Sequence, residues 1–212
     1  MAEKYVSEAV IGRLPRYYRK LCELEDRGIE RISSLELSRE MGLNASQIRR
    51  DFNCFGGFGQ QGYGYQVQKL KSELVSILGL NKTYNAVIVG AGNIGRALLN
   101  YKGFSDQGFY IKAIFDINPD VIGTSLEGVT VLSVFEFEEY VKANNINMGV
   151  ICTPAGTAQD VCDMFIRLGI TAVWNFAPRE LSCPPNVEVE NVNLSDSLYI
   201  LAYRMNENNH EA

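Results

Sequence analysis

The sequence predicts an α/β protein in two parts: an N-terminal winged-helix DNA-binding domain, then a Rossmann-like doubly wound parallel sheet. Three observations carry this. Two short helical stretches with start signals are separated by Gly42-Leu43-Asn44. From Tyr84 onward, short apolar runs alternate with helical stretches. Between them, Gly90-Ala91-Gly92-Asn93-Ile94-Gly95 follows an apolar strand and opens a helix.

Residues 7–27 place Val10, Leu14, Tyr17, Leu21 and Leu24 at helical spacing. Pro15 must kink this helix or open its main part, because it has no N–H to donate. Gly28 suits the stop. Ser33-Ser34-Leu35-Glu36 is a capping-box pattern for a short helix ending near Gly42. Asn44-Ala45-Ser46-Gln47 repeats the start signal, and the pair makes a helix-turn-helix. Glycines and aromatics alternate from Phe55 to Tyr65, which predicts a two-stranded hairpin, the wing. A helix follows from about Val67 to Leu78. Strands are then expected at Ala86–Val89, Ile111–Phe115, Val129–Leu132, Met148–Cys152, Ala172–Asn175 and Val187–Val189. Helices are expected at Ile94–Tyr101, Val134–Ala143 (capped by Ser133 with Glu136), Thr157–Leu168 and Ser195–Met205. Such alternation means a parallel sheet covered on both faces.

Composition narrows the class. The 212 residues are 46% hydrophobic and 21% charged, as in globular proteins. No apolar run approaches the ~20 residues of a membrane span. The N-terminus lacks a signal pattern. A cytoplasmic protein with no membrane partner is the expectation. Five scattered cysteines, Cys22, Cys54, Cys152, Cys162 and Cys183, without a C-x-x-C pair, point to reduced, mostly buried thiols rather than a disulfide frame or metal site. The single histidine, His210, sits in a polar tail, leaving no His-based metal or catalytic centre. Net charge is −5, yet residues 1–82 carry 13 Lys/Arg against 10 Asp/Glu, and residues 83–212 carry 7 against 15. The pattern suits a basic reader joined to an acidic body.

In the glycine motif, Gly90 permits the tight turn, Gly92 lets backbone approach a pyrophosphate, and Gly95 lets helix and strand pack closely. Phosphates belong at the helix N-terminus, beside Ala91, Asn93 and Ile94. Asp116 ends the next strand, where a ribose-hydroxyl acceptor belongs. A carboxylate there accepts from both ribose hydroxyls and repels a 2′-phosphate, so NAD(H) is expected over NADP(H). Thr153-Pro154 and Asn175-Phe176-Ala177-Pro178 follow two strands and are assigned to the nicotinamide half, a strand-ending turn being the plain alternative.

An NAD-dependent oxidoreductase is the main rival. Hydride transfer to a carbonyl needs a proton donor. No catalytic histidine is available, Tyr65 and Lys69 precede the glycine motif, and no separate substrate domain remains. A catalytic role is therefore not expected. For a DNA reader, Ser46, Gln47, Arg49 and Arg50 occupy the first turns of the recognition helix, with Ile48 and Phe52 facing the core. Arg13, Arg16, Arg19 and Lys20 on the first helix suit phosphates, or a contact to the domain below. Gly62 and Tyr63 sit in the wing. Tyr65 suits either a minor groove or packing.

The strings Arg13-Leu14-Pro15-Arg16-Tyr17-Tyr18-Arg19, Ile32-Ser33-Ser34, Gln47-Ile48-Arg49-Arg50-Asp51, Phe55-Gly56-Gly57-Phe58-Gly59, Gly62-Tyr63-Gly64-Tyr65 and Asn175-Phe176-Ala177-Pro178 resemble the Rex family of redox-sensing transcriptional repressors. The resemblance runs from about Ser7 to Tyr203. It implies a homodimer with a DNA-binding domain at 1–80, an NAD(H)-binding domain at 81–192, and a swapped C-terminal helix and tail at 193–212. It implies NADH and NAD⁺ as effectors rather than hydride carriers. Palindromic double-stranded operator DNA is held without NADH and released when NADH rotates the protomers; NAD⁺ competes. It places Tyr101 near the nicotinamide and Arg19 in an interface switch. The family's aspartate at the start of the swapped segment falls on Asn193, with Asp196 three residues later. An amide lacks the charge-assisted pair, worth ~1.5–3 kcal/mol, that a carboxylate would form there.

Overall fold

The computed structural model describes residues 6–56, 58–59 and 63–210. The chain divides into two compact units, residues 1–82 and 83–212.

In the first unit, α1 (Glu8–Ile11) is separated by Gly12 and Arg13 from α2 (Leu14–Asp26). Pro15 lies in the opening turn of α2, where a missing donor costs nothing. Gly28, at φ +70°, ends the helix through bonds from its N–H to Glu25 and from Ile29 N–H to Leu24. A short strand, β1 (Arg31–Ile32), precedes α3 (Ser34–Met41), and α4 (Ala45–Asn53) follows. Ser33 Oγ accepts from Glu36 N at 3.1 Å while Ser33 N donates to Glu36 Oε2 at 2.8 Å, the reciprocal box expected. Asn44 caps α4 from one side only, accepting from Ser46 N at 2.8 Å.

The middle of the expected hairpin over 55–65 lies outside the described residues, and its last residue enters a strand. The strand β2 (Tyr65–Gln66) pairs antiparallel with β1, Tyr65 opposite Ile32. Tyr65 is buried edge-on against Phe52 at 5.2 Å, which draws the strand onto β1. Gly64, at φ +71°, passes so close to β1 that a side chain would meet Ile32 O at 2.7 Å. Gly62, with residues 57, 60 and 61, lies outside the described residues. α5 (Val67–Ile77) closes a core of Tyr17, Leu21, Leu24, Leu37, Ile48, Phe52 and Leu70.

The second unit opens with β3 (Tyr84–Val89), α6 (Asn93–Leu99) and, after a 3-10 turn at Lys102–Gln107, β4 (Phe109–Asp116). Then come β5 (Ser125–Leu126), β6 (Val129–Ser133), α7 (Phe137–Ala143), β7 (Met148–Ile151), α8 (Ala158–Arg167), β8 (Ala172–Asn175), β9 (Glu188–Asn191) and α9 (Leu194–His210). The strands form one sheet in the order β5-β6-β4-β3-β7-β8-β9, parallel except at β5–β6. The chain runs outward from β3 through β4 to β6, then returns to β7 on the opposite side. That reversal puts a ligand crevice at the ends of β3 and β7.

Alternate residues of β3 serve two cores: Val87 and Val89 face α7 and α8, while Ala86 and Ile88 face α6. Gly149 lets Phe165 of α8 close on β7, since a side chain there would sit 2.2 Å from that ring. α7 and α8 pack on one face of the sheet and α6 with the 3-10 turn on the other, as the alternation of strands and helices predicts. Neither the β4–β6 nor the β8–β9 connection is helical, so α6 and the 3-10 turn cover the second face only in part. An apolar groove of about 450 Å³ remains, lined by Ile88, Leu98, Phe104, Met148, Val150 and Trp174 among others. α9 leaves Leu194, Leu198, Tyr199, Ile200, Leu201, Tyr203 and Met205 more than half exposed. No described helix is long and apolar enough to cross a membrane.

Candidate functional site

The three motif glycines are required for different reasons. Gly90, at φ +107°, would drive a side chain into Cys152 O at 2.6 Å. Gly95 lies against the Gly90 carbonyl, which a side chain would reach at 2.0 Å. Nothing lies within 4 Å of a side chain built on Gly92. The fold therefore needs the first and third glycines, while the second faces open space that suits a pyrophosphate. Beside it Asn93 is exposed, Ile94 half-buried and Ala91 buried.

Asp116 is fixed at the end of β4. Its Oδ2 accepts from Ala91 N at 2.7 Å, and its Oδ1 accepts from Asn118 N at 2.8 Å. Each oxygen keeps a further lone pair for a ribose hydroxyl. Arg96 Nε donates to Ala91 O at 2.8 Å and braces the turn, a role the motif spacing does not disclose. Across the crevice, Thr153 Oγ1 is buried and is the one such side-chain atom without a hydrogen-bond partner among the described residues. An orphaned polar atom beside an open glycine turn fits a bound nucleotide.

The loop after β8 is braced by its first side chain. Asn175 is buried, and both of its amide hydrogens serve the protein, one reaching Arg179 O and one Asn191 Oδ1, each at 2.8 Å. Its oxygen accepts from Ala177 N at 3.0 Å. Asn175 thus shapes the loop rather than presenting its amide to a ligand. Arg179 Nη1 reaches Ala155 O at 3.3 Å and ties this loop to Thr153-Pro154. Pro178 is exposed and Ala177 buried. Phe176 packs edge-on against Trp174 at 4.6 Å, Trp174 against Phe104 at 5.6 Å, and Phe104 against Tyr101 at 4.7 Å. This aromatic chain links the exposed Tyr101 to Phe176. The contact of Phe104 with Trp174 joins segments 70 residues apart, so no local pattern in the sequence discloses it.

In the first unit, α4 turns Ile48, Asp51 and Phe52 inward and leaves Ser46, Arg49 and Arg50 exposed and Gln47 half-buried. Ser46 Oγ donates to Asn44 Oδ1 at 2.7 Å, and Arg49 Nη1 donates to Ser34 Oγ at 2.8 Å. Arg16 and Arg19 are exposed on α2, and Tyr63 is 71% exposed. Arg13 is engaged within the unit. Its Nε and Nη2 bind both oxygens of Asp51 at 2.7 and 2.9 Å, and Tyr17 Oη donates to the same carboxylate at 2.7 Å. Burial pushes the Asp51 carboxyl up, but the Arg13 and Tyr17 hydrogen bonds outweigh it and hold it below the usual range. A buried carboxylate needs this counter-charge. Position 51 also falls on the inward face set by 48 and 52, a signal the sequence contained.

At the start of α9, exposed Asn193 accepts from Ser195 N at 3.3 Å and from Ser195 Oγ at 2.9 Å, capping the helix. Among the described residues, no group of three or more His, Cys, Asp or Glu side chains could hold a metal.

Comparisons with known proteins match both units. Residues 5–53 match the family described as "Putative DNA-binding protein N-terminus", and residues 81–179 match the family described as "CoA binding domain". A protein of Clostridioides difficile (strain 630), named redox-sensing transcriptional repressor Rex, is 53% identical over 98% of this chain and 99% of its own. One of that name from Thermoanaerobacter sp. (strain X514) is 52% identical over 95% of this chain and 90% of its own. The crystal structure of RSP in complex with β-NAD⁺ and operator DNA aligns at TM-score 0.91 and 52% identity over 98% of this chain and 95% of that one. RSP in complex with β-NADH aligns at 0.90 and 49%, over 98% of this chain and 97% of that one. The chain belongs to the family of Rex redox-sensing transcriptional repressors.

Proposed function

We propose that this protein represses transcription in response to the NADH/NAD⁺ ratio. As a homodimer in the cytoplasm it holds a palindromic operator through α4 and releases it when NADH occupies the crevice beside Gly92. The observation that carries this reading is one chain joining an exposed basic helix to a glycine turn faced by Asp116, over nearly the full length of a protein solved with nucleotide and operator DNA.

Each site follows from its chemistry. Arg49 and Arg50 present guanidinium forks to base edges or phosphates, with Ser46, Gln47, Arg16 and Tyr63 flanking them. Asp116 selects NAD(H), because it repels the 2′-phosphate of NADP(H). It equally disfavours coenzyme A, whose ribose carries a 3′-phosphate. The Phe176–Pro178 loop is largely apolar and favours the neutral dihydronicotinamide ring over its cationic oxidised form. Moving the dimer nearly completely between its two states requires a differential affinity of ~5.5 kcal/mol. The exposed apolar side chains of α9 support insertion of residues 193–212 into the partner subunit. Arg19, Tyr101 and the segment from Asn193 form the interface switch.

A gel shift on a random duplex pool, with NADH, NAD⁺ and NADPH added in turn, tests the reading. Selection of a palindrome that NADH alone releases is expected. Retention of the selected duplex at saturating NADH contradicts it.

A further inference from the structure

The sequence gives no sign that any of its five cysteines meet, yet two do. Cys162 lies buried on α8, and Cys183 is half-buried in the loop between β8 and β9, with their sulfurs 3.4 Å apart. The approach is held by the backbone. One turn before Cys162, Gln159 Nε2 donates to Ser182 O at 3.0 Å and Gln159 Oε1 accepts from Ser182 N at 2.9 Å. This two-way latch fixes the residue before Cys183 on α8, so the thiols stay adjacent. The other three cysteines have no such partner thiol among the described contacts.

We propose that Cys162 and Cys183 are a redox-active dithiol that a peroxide closes to a disulfide. The Cys183 thiolate, the more accessible of the two, attacks a peroxide oxygen. The O–O bond breaks, hydroxide leaves, and a sulfenic acid forms on Cys183. The Cys162 sulfur then attacks the Cys183 sulfur; the S–S bond forms as the S–O bond breaks, and the hydroxyl leaves with the Cys162 proton as water. Two thiols are oxidised and hydrogen peroxide is reduced to two waters. Burial pushes the Cys162 thiol up to about 12, which suits the later, resolving position. Closing the sulfurs from 3.4 Å to the ~2.05 Å of a disulfide draws the loop toward α8. α8 packs on the sheet face opposite α6, so the pull is away from the face that carries α6. The loop begins with Phe176–Pro178, so the disulfide weakens NADH binding; that consequence rests on the function proposed above.

The test treats the reduced full chain with one equivalent of hydrogen peroxide. It then maps non-reduced peptides after cleavage before Asp160, which separates Cys162 from Cys152. A Cys162–Cys183 cross-link, reversed by dithiothreitol, is expected, and in Cys162→Ala a dimedone adduct on Cys183. Oxidised Cys183 beside a free Cys162, or a cross-link to Cys152 instead, overturns the dithiol. NADH titration of both forms should show at least threefold weaker binding after oxidation, and no change in peroxide-treated Cys162→Ala. Equal affinity overturns the consequence for NADH. If the reduced chain binds no NADH, the proposed function fails, while the peptide map still decides the dithiol.

Discussion

A side chain added at Gly92 and one added at Gly90 ask different questions. At Gly92 the backbone is extended and the space open, so Gly92→Val should fold normally and block only the ligand. Thermal melting should match the parent, while NADH affinity falls more than tenfold. At Gly90 the φ of +107° and the Cys152 carbonyl at 2.6 Å forbid a side chain, so Gly90→Val should lower stability itself by ~2 kcal/mol or more. Equal effects of the two variants on stability would remove the distinction between ligand glycine and fold glycine. Asp116→Arg, in the same crevice, should lower NADH affinity and narrow the preference over NADPH, read by titrating both nucleotides.

Asp51 makes a residue-scale prediction about pH. Its carboxyl is held below the usual range in the folded state, so its contribution is full above the unfolded value of ~3.9 and fades as pH falls through the lower folded one. Asp51→Asn should cost ~2 kcal/mol at pH 7, and the gap to the parent should shrink toward pH 3. Urea unfolding at the two pH values checks this. A gap that does not depend on pH would mean packing alone fixes the residue.

At the scale of elements, local chemistry was legible where a local rule decided the outcome. The capping box at Ser33 and Glu36, the stop at Gly28, the Pro15 start and the strands β3, β7 and β8 follow from patterns a few residues long. What escaped depends on distant partners. β1 is two residues and exists because Tyr65 buries against Phe52 and brings β2 alongside. β5 forms as a hairpin with β6 where a helix-bearing crossover is usual. The inward turn of Asn175 needs Arg179 and Asn191, and the commitment of Arg13 needs Asp51, 38 residues on. The recognition helix makes its own prediction. Arg49→Ala or Arg50→Ala should cost ~1–3 kcal/mol of operator binding. Relaxed preference at one base marks a base contact, and uniform weakening marks a phosphate contact. Operator binding unchanged in both variants would remove α4 from the reading role.

The whole molecule could not be read from a single chain. α9 exposes seven large apolar side chains, and the sheet face beside α6 keeps an open apolar groove. Such surfaces call for a partner. Cutting the chain before Leu194 should therefore abolish a stable dimer, seen as a halved mass by sedimentation or as aggregation. A truncated chain that remains a soluble dimer would contradict the swapped arrangement. Asn193 bears on the same scale. Its amide caps the start of α9 as an aspartate would, and carries no charge.

If nucleotide and DNA are linked through one dimer, as proposed, the linkage is reciprocal. The most direct measurement is NADH affinity with and without saturating operator, set beside operator affinity with and without saturating NADH. Both affinities should fall by the same factor. NADH that binds the operator complex as tightly as the free protein would contradict it.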